Sequence, residues 1–144
     1  MTTRNVQRDE QILGHLGLYR VSFRAVISFL FFQGGFPGNV LQRLRTEGRV
    51  TSRGGLRNRL RYYQLSVTEA TARGVTLARG RPPKPQAFSL HVATLWYCSV
   101  APGGSLRRRL DTPELVHLFG VNTPKGAHVL DSTGSPRVVR VISV

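Results

Sequence analysis

The amino-acid sequence predicts an α+β fold in three parts: helices with a β-hairpin, a basic linker, and a small helix-plus-hairpin extension. Apolar residues recur at helical spacing up to about residue 46, and two strand-like runs then flank an Arg/Gly-rich turn. The composition changes at 78–86, where three prolines exclude a helix or a central strand. We therefore predict a domain over 1–78, a linker over 79–86 and an extension over 87–144. At 144 residues and 40% hydrophobic, the chain can bury one modest core.

The first helix is predicted from about Arg8 to Tyr19. Asp9 and Glu10 lie in its opening turn, where the helix dipole favours acidic side chains. Its apolar stripe consists of Ile12, Leu13, Leu16 and Tyr19. Two internal glycines each weaken a helix by roughly 1 kcal/mol relative to alanine, so this helix must depend on tertiary packing.

A second helix is predicted after Ser22, whose hydroxyl can accept a hydrogen bond from a free amide of the first turn. Its apolar residues have the spacing of a buried helix face: Phe23, Val26, Ile27, Leu30 and Phe31. Glycines and Pro37 end this helix and start a third one, over Asn39 to Thr46. Two helices joined by a short glycine-containing turn form a helix-turn-helix arrangement.

The third helix and the hairpin behind it concentrate basic charge, with seven arginines against the single acid Glu47. In the helix, Val40, Leu41 and Leu44 can face inward. The outward set is Asn39, Gln42, Arg43, Arg45 and Thr46. Strands are predicted over Arg49–Ser52 and Leu60–Ser66, and Thr68 is expected to cap a further helix. A helix-turn-helix followed by a basic hairpin is the outline of a winged helix-turn-helix domain.

The region after the linker has weaker secondary-structure signals than the region before it. Residues Phe88 to Val100 are apolar and aromatic, which favours a buried helix and leaves a strand as the alternative. A short helix is expected to start at Thr112 or Pro113. The segments AHVLD and RVVRVISV around STGSP predict a β-hairpin. The cluster LRRRL at 106–110 can be a second DNA-facing patch, a partner surface or solvated charge.

The charge indicates the class of partner. A formal net charge of +14, from 21 basic and 7 acidic residues, attracts polyanions. Nucleic acid is the leading partner and an anionic membrane the second. Nearly all the cations are arginines, which fork onto phosphate or guanine edges, although high genomic G+C explains this bias equally well. The lone Cys98 excludes an intramolecular disulfide and a thiolate zinc cluster. With no spanning-length apolar stretch and no apolar signal core, we expect a cytoplasmic protein without a membrane partner.

Several segments resemble a known family. They are RDEQIL in the first helix, VISFLFF in the second, VLQRLRTEGRV in the third helix and first strand, and RYYQLSVTEATARGV after the turn. Residues Gln7 to about Ala78 are similar to the winged helix-turn-helix half of the replication-relaxation proteins, a plasmid, phage and mobile-element family. The resemblance implies a regulator of transcription or replication. In the second half, Arg140 and Val141 stand where a catalytic carboxylate would be sought.

The linker contains Arg79, Gly80, Arg81 and Pro82, which resembles the core of an AT-hook. Glycine between two arginines lets an extended backbone lie in a narrow A·T minor groove, where both guanidiniums meet enhanced negative potential. The alternative is a basic, proline-rich linker with no such contact.

Double-stranded DNA is therefore the predicted ligand, bound by a homodimer on half-sites about one helical turn apart. Asn39, Gln42 and Arg43 are predicted to read base edges in the major groove. Further DNA contacts are assigned to Arg45 in the helix, to Arg53, Arg57 and Arg59 in the hairpin, and to Arg79 and Arg81 in the linker. The alternative is that this arginine-rich face is only solvated surface.

Neither a catalytic nor a metal site is predicted, because the acids are scattered and the four histidines lack metal-ligand spacing. We accordingly expect no enzyme, no cofactor and no small-molecule substrate. Two alternatives remain. One is an RNA-binding or ribosome-associated protein that stacks bases on Tyr62 and Tyr63. The other is a small metal-dependent nuclease, in which His117, His128 and Asp131 would converge.

Overall fold

The computed structural model describes residues 5–54, 56, 60–75, 81–101, 103–110, 114, 115, 117, 127–131 and 136–139. The helices are α1 (Val6–Tyr19), α2 (Arg24–Phe31), α3 (Gly38–Thr46), α4 (Val67–Ala72) and α5 (Pro85–Ser99). The strands are β1 (Val50–Arg53), β2 (Tyr62–Leu65), β3 (Arg108–Arg109), β4 (Ala127–Leu130) and β5 (Pro136–Val139). This mixture of helices and small antiparallel sheets is an α+β fold, as the sequence predicts. The chain forms two compact units, Met1–Pro83 and Lys84–Val144.

The core of the N-terminal unit lies between α1, α3 and the β1–β2 hairpin. Its buried residues are Ile12, Leu13, Leu16, Ile27, Leu41, Leu44, Val50, Tyr63, Leu65 and Ala70. The predicted apolar stripe of α1 is buried throughout, and so are the two leucines of α3. Both predictions are confirmed, because helical periodicity alone determines which side of such a helix is apolar.

Helix α1 begins two residues earlier than predicted because Asn5 caps it. The Asn5 side-chain oxygen accepts a hydrogen bond from the Arg8 amide at 2.9 Å. One of its glycines has a packing reason: a Cβ atom at Gly17 would lie 3.4 Å from Cδ1 of Leu65 on β2. The glycine therefore lets the helix approach the strand closely.

Ser22 is not the cap of α2, contrary to the prediction. The helix begins at Arg24, and Phe23 precedes it without a side-chain cap. The backbone of Ser22 instead forms a β-bridge with Tyr63, with hydrogen bonds of 3.0 and 2.8 Å. Its hydroxyl lies 2.8 Å from Nε2 of His15. Ser22 thus extends the edge of the hairpin, and its buried side chain points into the core instead of along the helix.

The predicted buried face of α2 is confirmed in part. Ile27 is fully buried, Phe23, Val26 and Phe31 are half-buried, and Leu30 is 39% exposed. Phe31, one turn after Ile27, packs against the core from a half-buried position. The α2 helix has eight residues, and only a narrow apolar stripe around Ile27 and Phe31 packs against the core.

The hairpin pairs β1 with β2 in antiparallel register, from Val50 opposite Leu65 to Arg53 opposite Tyr62. Its predicted strands are confirmed, although β2 is shorter than expected. Residues 55 and 57–59 of the turn lie outside the described part of the chain. Helix α4 follows and is capped by Ser66, whose hydroxyl accepts a hydrogen bond from the Glu69 amide at 3.0 Å. Thr68, the predicted cap, lies inside the helix.

In the C-terminal unit, α5 is a helix, which decides between the two alternatives that its composition left open. The predicted hairpin is formed by β4 and β5, and β3 pairs with β4 to complete a three-stranded sheet. β3 is contributed by the LRRRL cluster, for which the sequence predicted no element. Thr112 and Pro113, the expected start of another helix, lie outside the described residues. No helix within the described ranges is long and apolar enough to cross a membrane.

Candidate nucleic-acid interface

The outer face of α3 is polar and open to solvent. Asn39, Gln42, Arg45 and Thr46 are all exposed. The opposite side of the helix is fixed by Leu41 and Leu44, which are 1% and 0% exposed in the core. The burial of two leucines therefore determines which side chains α3 presents outward, as the sequence predicts for these four residues.

This face continues onto the hairpin as a groove of about 340 Å³. Its lining residues are Gln42, Arg45 and Thr46 from α3 and Val50, Thr51 and Ser52 from β1. Two of its α3 residues are hydrogen-bonded to a third: Arg45 donates to Oε1 of Gln42 at 3.3 Å, and Thr46 donates to the Gln42 carbonyl oxygen at 2.9 Å. Amide, guanidinium and hydroxyl groups are thus collected along one edge, a set that can donate to and accept from base edges or phosphates.

Arg43 has a different position from its neighbours on α3. One of its terminal nitrogens donates to Oδ1 of Asp9 on α1 at 2.8 Å, and the other donates to Glu47 at 3.4 Å. The Asp9 side chain is only 1% exposed. The hydrogen bond to Asp9 raises the pKa of Arg43 above its ordinary value. Arg43 therefore joins α1 to α3, and its guanidinium is already used inside the fold.

A second ion-pair network joins α1, the start of β1 and α4. Arg49 contacts Glu69 at 3.0 Å and Glu10 at 3.2 Å, and Arg73 contacts Glu10 at 2.8 Å. The hydrogen bond from Arg73 holds the pKa of the Glu10 carboxyl below its usual range, while the hydrogen bond to Glu69 raises the pKa of Arg49. These contacts therefore stabilise the ionised forms of Glu10 and Arg49.

These ion pairs determine which charges remain available on the N-terminal unit, which has fourteen arginines and four acidic residues. All four acids contact Arg43, Arg49 or Arg73. Arg45, by contrast, contacts no carboxylate of the described residues. The electrostatic field of this unit is therefore dominated by arginines other than the three that hold its scaffold.

The described part of the hairpin places two further arginines. Arg53 donates from Nε to Oε1 of Gln64 at 2.7 Å, and the Gln64 amide donates to the carbonyl oxygen of Arg81 at 2.9 Å. Arg61 donates from Nε to Oγ of Ser52 at 2.8 Å. The side chain of Arg81 is exposed while its backbone is tied to β2. The structure thus brings Arg53 and Arg81 to the same buried glutamine.

Three residues assigned to DNA from the sequence, namely Arg57, Arg59 and Arg79, lie outside the described part of the chain. Thr51, Ser52 and Arg61 were not assigned to the interface, although the first two line the groove and the third bonds to Ser52. The alternation of strand faces could not have selected them, because consecutive residues such as Thr51 and Ser52 point to opposite faces of β1.

The tyrosines proposed to stack RNA bases are not exposed. Tyr62 is 7% exposed and Tyr63 is 4% exposed, and the Tyr63 hydroxyl accepts a hydrogen bond from Arg24 at 3.3 Å. Both residues are buried within strand β2. The expectation of an aromatic platform at this position is wrong.

The histidines of the C-terminal unit do not form a metal site within the described residues. His91 lies 3.1 Å from a terminal nitrogen of Arg109, both of them buried, and His128 is buried on β4, whereas His117 is exposed. Across the described residues, no group of three or more His, Cys, Asp or Glu side chains is arranged to hold a metal ion.

Comparison with known proteins adds no relative: no protein-family model, no curated protein and no solved structure matches this chain. The resemblance to replication-relaxation proteins therefore stays a prediction. What the chain binds must be inferred from its own residues.

Proposed function

We propose that the N-terminal unit is a winged helix-turn-helix domain that binds double-stranded DNA, with α3 in the major groove and the β1–β2 hairpin along the backbone. Support comes from the order of its elements, in which α2 and α3 are joined by a short glycine-containing turn and followed by an antiparallel hairpin. A role in regulating a mobile element follows from the family resemblance alone.

The observation that carries this proposal is the polar face of α3 and its continuation into the groove on β1. A recognition helix needs exposed side chains that reach base edges, with an apolar back that fixes its orientation. Asn39 and Gln42 have amide groups suited to adenine, and Arg45 has a guanidinium suited to guanine or phosphate. We leave Arg43 out of the proposed interface because its guanidinium is bonded to Asp9.

DNA is favoured over single-stranded RNA by the same surface. RNA modules read splayed bases by stacking them on exposed aromatic side chains, and the two tyrosines expected to do so are buried. A polar helix face next to a groove instead suits the edges of stacked base pairs.

The proposal is tested by selecting bound sequences from a random duplex pool and then titrating variants by fluorescence anisotropy. Arg45→Gln is expected to cost roughly 1–3 kcal/mol on the selected sequence and to relax preference at one base pair. Arg73→Gln is the matched control: it removes the same charge, but from the network with Glu10 and Glu69, where Arg49 still pairs with both acids. It should leave the selected-site affinity within about twofold.

Two results would reject the proposal. One is an equal loss of affinity for both variants on selected and random duplexes, which would indicate only a general effect of net charge. The other is tighter binding of single-stranded RNA than of any duplex at matched salt. A palindromic selected site would support a dimer, because two-fold protein symmetry is matched by the two-fold symmetry of the operator.

A further inference from the structure

A second cavity lies on the N-terminal unit, beside the turn that leads into α3. It has a volume of about 650 Å³, within the usual range for small-molecule sites. Three segments form it: the start of α2, the Gly34–Pro37 turn that leads into α3, and the residues just before β2. It shares no lining residue with the groove between α3 and β1.

The walls of this cavity are mainly apolar. Phe23 and Phe36 face it from the helix-turn-helix segment, and Leu60 faces it from the strand side. Phe36 is 70% exposed and Leu60 is 51% exposed. Large apolar side chains left in water around a concavity are typical of a binding site. A ligand with an apolar body would remove both from solvent.

The charged groups that line this cavity are both arginines. Arg24 lies with its guanidinium 5.6 Å from the Phe36 ring centroid and donates to the Tyr63 hydroxyl at 3.3 Å. Arg61 uses Nε and one terminal nitrogen on Ser52, at 2.8 and 3.3 Å. Neither arginine contacts a carboxylate of the described residues. Two guanidiniums beside apolar walls suit a planar carboxylate, which accepts paired hydrogen bonds from arginine.

A DNA phosphate fits this cavity less well. Phosphate contacts are made by polar and charged groups, and the exposed Phe36 and Leu60 would stay in water beside a phosphodiester. A carboxylate attached to an apolar ring or a branched chain can pair with the arginines and cover Phe36 and Leu60 at the same time.

We propose that this cavity binds a small organic acid with one carboxylate and an apolar ring or branched chain. The apolar part lies against Phe36 and Leu60, and the carboxylate pairs with Arg24 and Arg61. Because the cavity bridges the turn before α3 and the entry to β2, the ligand would bias the position of α3 relative to the hairpin. This coupling to DNA rests on the proposed function, whereas the binding itself does not.

Binding is tested without DNA by calorimetric titration with 1-naphthoate, using 1-naphthamide as the uncharged control of the same shape. We expect naphthoate to bind and naphthamide to bind at least tenfold more weakly, since a hydrogen bond to a charged group contributes about 1.5–3 kcal/mol. Arg24→Gln and Arg61→Gln should each weaken naphthoate roughly tenfold on the same basis. Arg45→Gln, outside the cavity, should not change it. Circular dichroism confirms that each variant is folded.

Equal binding of acid and amide, or unchanged binding by both cavity variants, would overturn the proposal. So would a concentration-dependent dimer that Phe36→Ser disperses, since the apolar surface would then be covered by a second copy of the chain. The coupling is tested by repeating the DNA titration with saturating naphthoate: a change in DNA affinity of about fivefold or more, lost in Arg24→Gln, supports it. Naphthoate binding with unchanged DNA affinity overturns the coupling, and failure to bind any duplex rejects only the proposed function.

Discussion

Replacing Arg43 by alanine tests whether this side chain stabilises the fold or contacts DNA. The substitution leaves Asp9, whose side chain is 1% exposed, without the guanidinium that lies 2.8 Å away. Removing one member of a buried ion pair costs about 3–5 kcal/mol. The Arg43 side chain is 32% exposed, so water can reach the carboxylate after truncation, and we expect roughly 2–3 kcal/mol. For a domain of this size, that lowers Tm by roughly 10–20 °C.

The assay is urea unfolding followed by circular dichroism, with Arg45→Ala as the control. Arg45 lies two positions further along α3, is exposed and contacts no carboxylate of the described residues, so its loss should change stability by no more than about 0.5 kcal/mol. Adding Asp9→Asn to Arg43→Ala removes the buried charge and should restore about 1 kcal/mol or more. If Arg43→Ala is as stable as Arg45→Ala and instead loses preference at one base pair, then the scaffold role assigned to Arg43 is refuted.

Three further predictions concern the scaffold. Burial lowers the pKa of His15 from 6.5 to about 4, because the fold favours the neutral imidazole. The free energy of unfolding should therefore fall by about 3 kcal/mol as the pH drops from above 6.5 towards 4. Urea unfolding at each pH should show this loss in the wild type and not in His15→Gln; an equal loss in both would refute it. Ser66→Ala should cost about 1 kcal/mol through loss of the α4 cap, with Thr68→Ala nearly neutral; thermal unfolding of the pair decides, and the reverse order would contradict the structure. The lowered pKa of Glu10 means that its ion pair with Arg73 stabilises the fold above pH 4.5 and that this contribution is lost as the pH falls through the folded-state value. In urea unfolding, Glu10→Gln should therefore be less stable than the wild type at pH 7, and the difference should shrink as the pH falls below 4.5; a constant difference would contradict this.

The elements that periodicity could predict were predicted. Helices α1 and α3 each have an apolar stripe whose spacing identifies the buried side, and the hairpin strands are bounded by glycine and charge. The α5 segment remained ambiguous because β-branched and aromatic residues are compatible with either structure; in the fold it is a helix that begins at Pro85.

The wrong predictions of helix caps concern residues whose actual contacts are determined by distant parts of the chain. Ser22 has the chemistry of a cap, but its backbone pairs with Tyr63, forty-one positions later. Ser66 and Thr68 both have side chains that can cap a helix, and the position of the helix start decides which of them does so. Local propensity cannot register such tertiary competition.

The sequence predicted which face of α3 is exposed, but not which of its arginines forms an ion pair inside the fold. The outward face of α3 follows from two inward leucines. The ion pair between Arg43 and Asp9 does not follow from the sequence, because the two residues are 34 positions apart. In addition, an acid at the start of α1 is already explained by the helix dipole. Counting basic residues therefore overestimates the charge available to a ligand wherever the fold pairs them internally.

The pairing of every acid in the N-terminal unit with one of three arginines has a practical consequence for handling the protein. Mobile salt ions screen exposed charges strongly and partly buried pairs much less. The arginines that attract polyanions and the arginines that hold the scaffold therefore differ in their sensitivity to salt. If the proposed DNA binding is correct, nucleic acid bound to the exposed arginines should be released by about 1 M salt, while the pair of Arg43 with the buried Asp9 is screened much less.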